Sequence, residues 1–135
     1  MTYRKQLCVE FCHVDPAGIV FYPRYFEMIN SLVETFFRDR LDTPFGPMHL
    51  VDKMGVPTAR FEVDFHAPSK LDDRLDLTLR IARVGRSSLD LNINISAGGQ
   101  NRLTAKQTIV YFDQNTGKSS PWPDDIRDKL LEEIE

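Results

Sequence analysis

Hydrophobic positions along the chain change period twice. Tyr3, Leu7, Val9 and Phe11 recur on one face of a first extended stretch. From Pro23 the spacing lengthens, and Tyr25, Ile29, Leu32, Val33 and Phe36 fall on one side of a helix. Pro23 supplies the pre-set φ of a first turn, "LDTPFGP" stops the run, and the element between them would be about 25 Å long. A short helical turn is expected at "LVDKMG". Strict alternation then returns: Phe61, Val63, Phe65 and Ala67, then Leu75 to Ile81, then Leu89 to Ile95 each place apolar side chains on one face of a strand. "VGR" and "SAGGQN" read as the turns between them. "TAKQTIVYF" is apolar on both faces from Ile109 to Phe112, as in a strand covered on both sides. "PWPDDIRDKLLEEIE" sets Ile126, Leu130, Leu131 and Ile134 on one side of a closing helix.

This order is one strand, a long apolar helix and four further strands with antiparallel turns. A helix that greasy needs a sheet around it, so the pattern predicts an α+β architecture built as a single domain over 1–135. At 135 residues and 41% hydrophobic content the chain can bury one ordinary core. The net charge of −3 comes without long runs of one sign, which excludes a nucleic-acid or anionic-membrane footprint. Neither an apolar leader nor a run long enough to span a membrane is present in the sequence. Cys8 and Cys12, four apart in an extended stretch, would sit roughly 13 Å from each other, too far to bridge. Free thiols point to a reducing, cytoplasmic setting.

The segment "DPAGIVFYP" concentrates the chemistry. Asp15 offers a carboxylate, Gly18 lets a ligand approach the backbone, and the helix start presents unpaired N–H groups with partial positive charge. A nucleophile or base on one side and oxyanion donors on the other are what cleavage of an acyl bond needs. Pro23 has no N–H, so the donor is Tyr22, Arg24 or Tyr25. The plainer role for Asp15 is a turn or capping residue. His13 reads as a surface or packing residue, and Cys12 as a buried small hydrophobe. No G-x-S-x-G elbow, phosphate-binding glycine loop or dinucleotide fingerprint occurs, and His13, His49 and His66 lack ligand-like spacing, so no metal is expected.

"DPAGIVFYPRYFE" resembles the signature of the 4-hydroxybenzoyl-CoA thioesterase family, and the order of elements resembles the hotdog fold over nearly the whole chain. The resemblance implies an antiparallel sheet of about five strands wrapped around a long central helix. It implies hydrolysis of an acyl-CoA to a carboxylic acid and CoA, with Asp15 as nucleophile or general base. The amide near Tyr22 would polarise the thioester carbonyl, and Gly18, Ile19, Val20 and Phe21 would line the substrate. "PAGIVFYP" is closer to the members acting on aromatic acyl groups, which Phe21, Tyr22 and Phe26 would suit. Coenzyme A arrives as part of the substrate, so no cofactor is implied. Its phosphates call for local basic groups, and "ARVGRSS" offers Arg83, Arg86, Ser87 and Ser88, which otherwise read as a solvated hairpin. In the family such contacts come from a neighbouring subunit, which implies a homodimer or homotetramer with shared active sites. The competing readings are a non-catalytic acyl-CoA or acyl-carrier binding protein of the same fold, which would not need the carboxylate, and a dehydratase, which would need a histidine where Asp15 stands.

Overall fold

Chain order alternates between one packed helix and the strands that close over it. The computed structural model describes residues 1–134. β1 (Tyr3–Cys8) leads through a 3-10 turn (Phe11–His13) and an irregular loop into α1 (Pro23–Leu41). A short α2 (Phe45–Leu50), β2 (Met54–Gly55) and β3 (Thr58–Phe65) follow. Then come β4 (Arg74–Val84), β5 (Ser88–Ala97), β6 (Gln100–Val110), β7 (Phe112–Asp113), β8 (Lys118–Ser119) and α3 (Asp124–Glu133). The main sheet is antiparallel throughout, in the order β1-β4-β5-β6-β3, and β2, β7 and β8 form a small second sheet.

The helical spacing read from the sequence is the packing surface. Tyr25, Met28, Ile29, Leu32, Val33, Phe36 and Phe37 of α1 are buried against the inward residues of the strands, among them Leu75, Leu77, Leu79, Leu91, Ile93, Ile95 and Leu103. Each such side chain removed from water contributes roughly 1.5–3 kcal/mol before conformational entropy is counted. Register shifts between Thr58 and Arg60, Ile81 and Arg83, and Ile95 and Ser96 let three strands bend around the helix. α1 ends where Asp42 turns left-handed at φ 51° and its N–H bonds back to Phe37 O.

Four expectations need correction. β1 stops at Cys8, and Phe11 lies in the 3-10 turn at 82% exposure rather than on a strand face. Phe65 keeps the alternation of β3, yet that strand is an edge of the sheet, so its ring is 50% exposed. The helical turn after α1 forms at Phe45–Leu50, earlier than "LVDKMG", because Pro44 with extended backbone starts it. On α3, Ile126 and Leu130 are buried, whereas Leu131 and Ile134 are exposed; the helix meets the core through a narrower stripe that also takes in Glu133. Glu133 is held by Arg40 at 2.9 Å. The last residue of that reading, Glu135, lies outside the described residues.

Among the described residues, no helix is long and apolar enough to cross a membrane.

Candidate active site

Residues 13–21 fold back on themselves. Phe21 N–H donates to His13 O at 2.9 Å, Val14 pairs with Val20, and Asp15 N–H donates to Ile19 O at 3.0 Å. At the tip, Gly18 N–H bonds to Asp15 O at 2.9 Å, and Gly18 has φ +81°. That angle suits a residue without a Cβ, so "DPAG" closes a turn other sequences would strain. The structural role foreseen for Asp15 is real: its Oδ1 accepts the Ala17 N–H at 2.9 Å. The same bond fixes the carboxylate's direction while its second oxygen, Oδ2, has no hydrogen-bond partner among the described residues. One oxygen is spent on orientation, and the other is free of protein partners among the described residues.

Of the three candidate amides at the helix start, two are already bonded. Arg24 N–H is taken by Phe21 O at 2.9 Å, and Tyr25 N–H by Tyr22 O at 3.2 Å. Tyr22 N–H has no acceptor among the described residues. It sits at the N-cap of a helix of 19 residues, where the backbone carries partial positive charge. Asp15 and the free amide are thus brought to the same end of the fold by the pairing of residues 13–15 with 19–21.

Beside them is an open cavity of about 330 Å³ lined by Ile19, Val20, Tyr22, Tyr25, Phe65, His66, Ala67 and Pro68. Its walls are largely apolar and aromatic. The Tyr22 and Phe65 rings meet edge to face at 6.2 Å, and Phe65 lies 6.0 Å from the Tyr25 ring. Tyr22 is 59% exposed and Phe21 nearly half exposed, so the cavity opens onto an aromatic surface. Of the residues the sequence singled out here, Ile19 and Val20 line it, whereas Gly18 and Phe21 stand at its margin; Phe26 packs instead on Phe61 at 5.3 Å, away from it.

The loop is held from beneath by residues that the sequence did not signal. Ser69, fully buried, accepts Val20 N–H on its carbonyl at 2.8 Å, and its Oγ takes the Tyr25 hydroxyl proton at 2.9 Å. Asp73 accepts the Lys70 N–H and an Arg102 N–H, each at 2.8 Å; these two contacts, in that order, hold its carboxyl below the ordinary carboxylate range.

Cys12 is exposed rather than buried, because the 3-10 turn lifts it off the sheet. Glu10, Cys12 and His13 bring ligand-type atoms within 4.8 Å of one another, closer than their spacing suggested. His13 Nδ1, however, accepts the Glu10 N–H at 2.9 Å, which leaves the neutral ring's proton on Nε2. That proton blocks Nε2 as a ligand, and the histidine serves as a cap.

Arg83, Arg86 and Ser87 are not near Asp15. They lie at the β4–β5 hairpin, while Asp15 neighbours the opposite end of β4, where Arg74 pairs with Cys8. An 11-residue strand separates the two places by roughly 30 Å. Around the hairpin, Arg83 and Arg86 share a depression of about 460 Å³ with Trp122, Asp124 and Arg127. Arg127 donates to Gly85 O at 2.7 Å, and Trp122 N–H to Arg86 O at 3.0 Å. Arg127 was not legible as part of a basic cluster, since it is 41 positions beyond Arg86 and only the docking of α3 joins them.

Comparison with known proteins agrees with this fold. A 1,4-dihydroxy-2-naphthoyl-CoA hydrolase of Synechococcus elongatus is 23% identical over 139 residues, covering 95% of this chain and 94% of that one. The crystal structure of a 1,4-dihydroxy-2-naphthoyl-CoA thioesterase from Synechocystis superposes with a TM-score of 0.88 at 20% identity, over 97% of this chain and 96% of the other. An aspartate-to-asparagine variant of 4-hydroxybenzoyl-CoA thioesterase, crystallised with 4-hydroxybenzoyl-CoA, superposes with a TM-score of 0.87 at 22% identity, over 96% and 98% of the two chains. At such identities the structures establish a shared fold, the five-stranded hotdog arrangement expected from the sequence. The family model of the thioesterase-like superfamily matches residues 9–130, and the chain therefore belongs to that superfamily.

Proposed function

We propose that this thioesterase hydrolyses aromatic acyl-CoA substrates, with Asp15 as nucleophile or general base and the Tyr22 N–H as oxyanion donor. The observation that carries the reading is the pairing, at one end of the fold, of a carboxylate with a free Oδ2 and a helix-entrance amide with no acceptor. A thioester carbonyl seated against Tyr22 N–H would develop negative charge toward the helix start, where one such donor is typically worth about 10²–10³ in turnover. The free oxygen of Asp15 would attack the carbonyl carbon or take a proton from an attacking water; either route ends in carboxylic acid and CoA. The aromatic walls of the adjoining cavity favour a planar acyl group. The relatives named for naphthoyl and hydroxybenzoyl thioesters support the same class.

The ~30 Å between Asp15 and the Arg83–Arg86 hairpin favours a site shared by two subunits. β3 is an unpaired edge of eight residues. Its Phe65 end neighbours the Asp15 loop, and its Thr58 end neighbours the hairpin through β6. Antiparallel pairing of β3 with a second copy would therefore lay one subunit's hairpin beside the other's loop and cover the exposed edge. Arg83, Arg86 and Ser87 would then meet the CoA phosphates.

A hydrolysis screen tests the reading, following thiol release from hydroxybenzoyl-, benzoyl-, dihydroxynaphthoyl-, short linear and long linear acyl-CoAs. Aromatic substrates should lead in kcat/KM by at least about tenfold, the value of one to two methylene-sized contacts in a pocket. Preference for linear chains would overturn the acyl assignment. Binding of every thioester without hydrolysis would replace the enzyme with a carrier.

A further inference from the structure

Both ends of the loop that carries Asp15 are tied to one short segment between β3 and β4. On the way in, Val9 N–H donates to Asp73 O at 2.8 Å and Asp72 N–H to Val9 O at 2.9 Å. On the way out, Val20 N–H donates to Ser69 O at 2.8 Å, and Ile19 pairs with Lys70. The first turn of α1, which presents the Tyr22 amide, is joined to the same segment by Tyr25 Oη donating to Ser69 Oγ at 2.9 Å. Arg102 holds the segment in shape: one guanidinium nitrogen donates to Pro68 O at 2.9 Å and to Asp73 Oδ2 at 2.8 Å. That side chain is only 11% exposed, and its Nε is buried without a partner. A desolvation cost of this kind is sustained where the remaining bonds fix a geometry.

We infer that residues 68–73 form a strap that sets the spacing between Asp15 and the Tyr22 amide, with Ser69, Asp73 and Arg102 as positioning residues. The inference rests on the assignment of those two groups to the reaction. The loop's internal bonds set its own fold, but Phe11, Cys12, Pro16, Ala17 and Gly18 are all exposed, so the bonds at its ends fix where it sits against the helix start. Ser69 is the junction. Its carbonyl reaches the loop and its hydroxyl reaches the helix, so a shift there moves the carboxylate relative to the amide. Misplacement of reacting groups by about 1 Å can cost on the order of 10²-fold in rate. The hairpin proposed to meet the CoA phosphates comes from the second subunit and is not among the groups the strap holds, so binding should be spared.

The test uses Tyr25→Phe, Ser69→Ala and the double variant of the full chain. Tyr25→Phe keeps the ring that walls the cavity and removes only the hydroxyl. Each single change should lower kcat about tenfold with KM unchanged within about twofold. The double variant should be no worse than the poorer single, because both changes delete the same bond. A core substitution at the opposite end of the sheet, Ile109→Val, where the side chain is buried and the residue pairs with Thr58 and Leu89, serves as the stability control and should keep kcat when compared at a matched loss of Tm. In an Asp15→Asn background, adding Tyr25→Phe should reduce the residual rate less than about twofold, since a positioning residue acts through the group it positions. Full kcat in Tyr25→Phe, or an undiminished tenfold loss in the Asp15→Asn background, would overturn the strap. Those results with an inactive Asp15→Asn refute the strap alone, whereas full turnover in Asp15→Asn removes the underlying assignment and the strap's role with it.

Discussion

Asn at position 15 can accept the Ala17 N–H through its own Oδ1, so Asp15→Asn preserves the bond that shapes the turn and removes only the charge and the basic oxygen. Asp15→Ala removes both. The comparison separates the two roles of this residue in numbers. The lost turn bond in the alanine variant should cost about 1 kcal/mol, a fall in Tm of roughly 3–5 °C for a chain this size. The asparagine variant should stay within about 0.5 kcal/mol of the parent, as a near-isosteric change at a partly exposed site. Turnover should behave differently: both variants should lose at least about 10²-fold in kcat, the lower bound for a group that moves a proton or attacks. Melting curves and steady-state kinetics on one aromatic acyl-CoA suffice. A folded Asp15→Asn enzyme with near-parental kcat would show that the carboxylate's work ends with the turn.

Gly18→Val should strain the turn by about 1–3 kcal/mol through its φ of +81°. A Cβ there meets nothing within 4 Å, so Gly18→Ala should reproduce most of the loss of Tm, and equal melting of parent and valine variant would contradict the argument. Mixing Asp15→Asn and Arg86→Ala subunits, each inactive, should restore about a quarter of sites once exchange is random; confirmed exchange without recovery would refute sharing through Arg86. Because the Asp73 carboxyl titrates below its ordinary range, its contribution to stability is present above the unfolded value near 3.9 and is lost as pH falls through the folded value. The stability gap between parent and Asp73→Asn should therefore hold steady above about pH 5 and narrow below about pH 3.9 in urea titrations. A gap constant down to pH 2.5 would count against it.

The helix and the main sheet were legible because their apolar spacing follows the helical and strand periods without interruption. What the period cannot say is whether an apolar face is covered by its own chain. Phe11, Phe65, Leu131 and Ile134 fit the strand or helix period and are nevertheless exposed, since a turn beyond a strand, a sheet edge and the rim of a short helix leave them uncovered. The Asp15 segment was legible as a motif, but not which amide is free; that depended on Phe21 and Tyr22 carbonyls claiming the other two candidates. Ser69 was invisible for a different reason. "PSK" reads as an exposed turn, and Ser69 is buried only where the Asp15 loop and the helix start converge on it.

The anchoring of the Asp15 loop also dictates an order of events during synthesis. Asp15 leaves the ribosome well before the groups that shape its surroundings: Ser69 and Asp73 follow some fifty-five residues on, Arg102 about ninety. At typical elongation of 5–20 residues per second, that interval is roughly 4–18 s. Until β4 and β5 have been made, the aromatic residues of the loop and the greasy helix behind them have no sheet to lie against. The segment made first is thus among the last to take its form, and a nascent chain halted before β6 would carry every residue of "DPAGIVFYP" without the shape that the finished fold gives it.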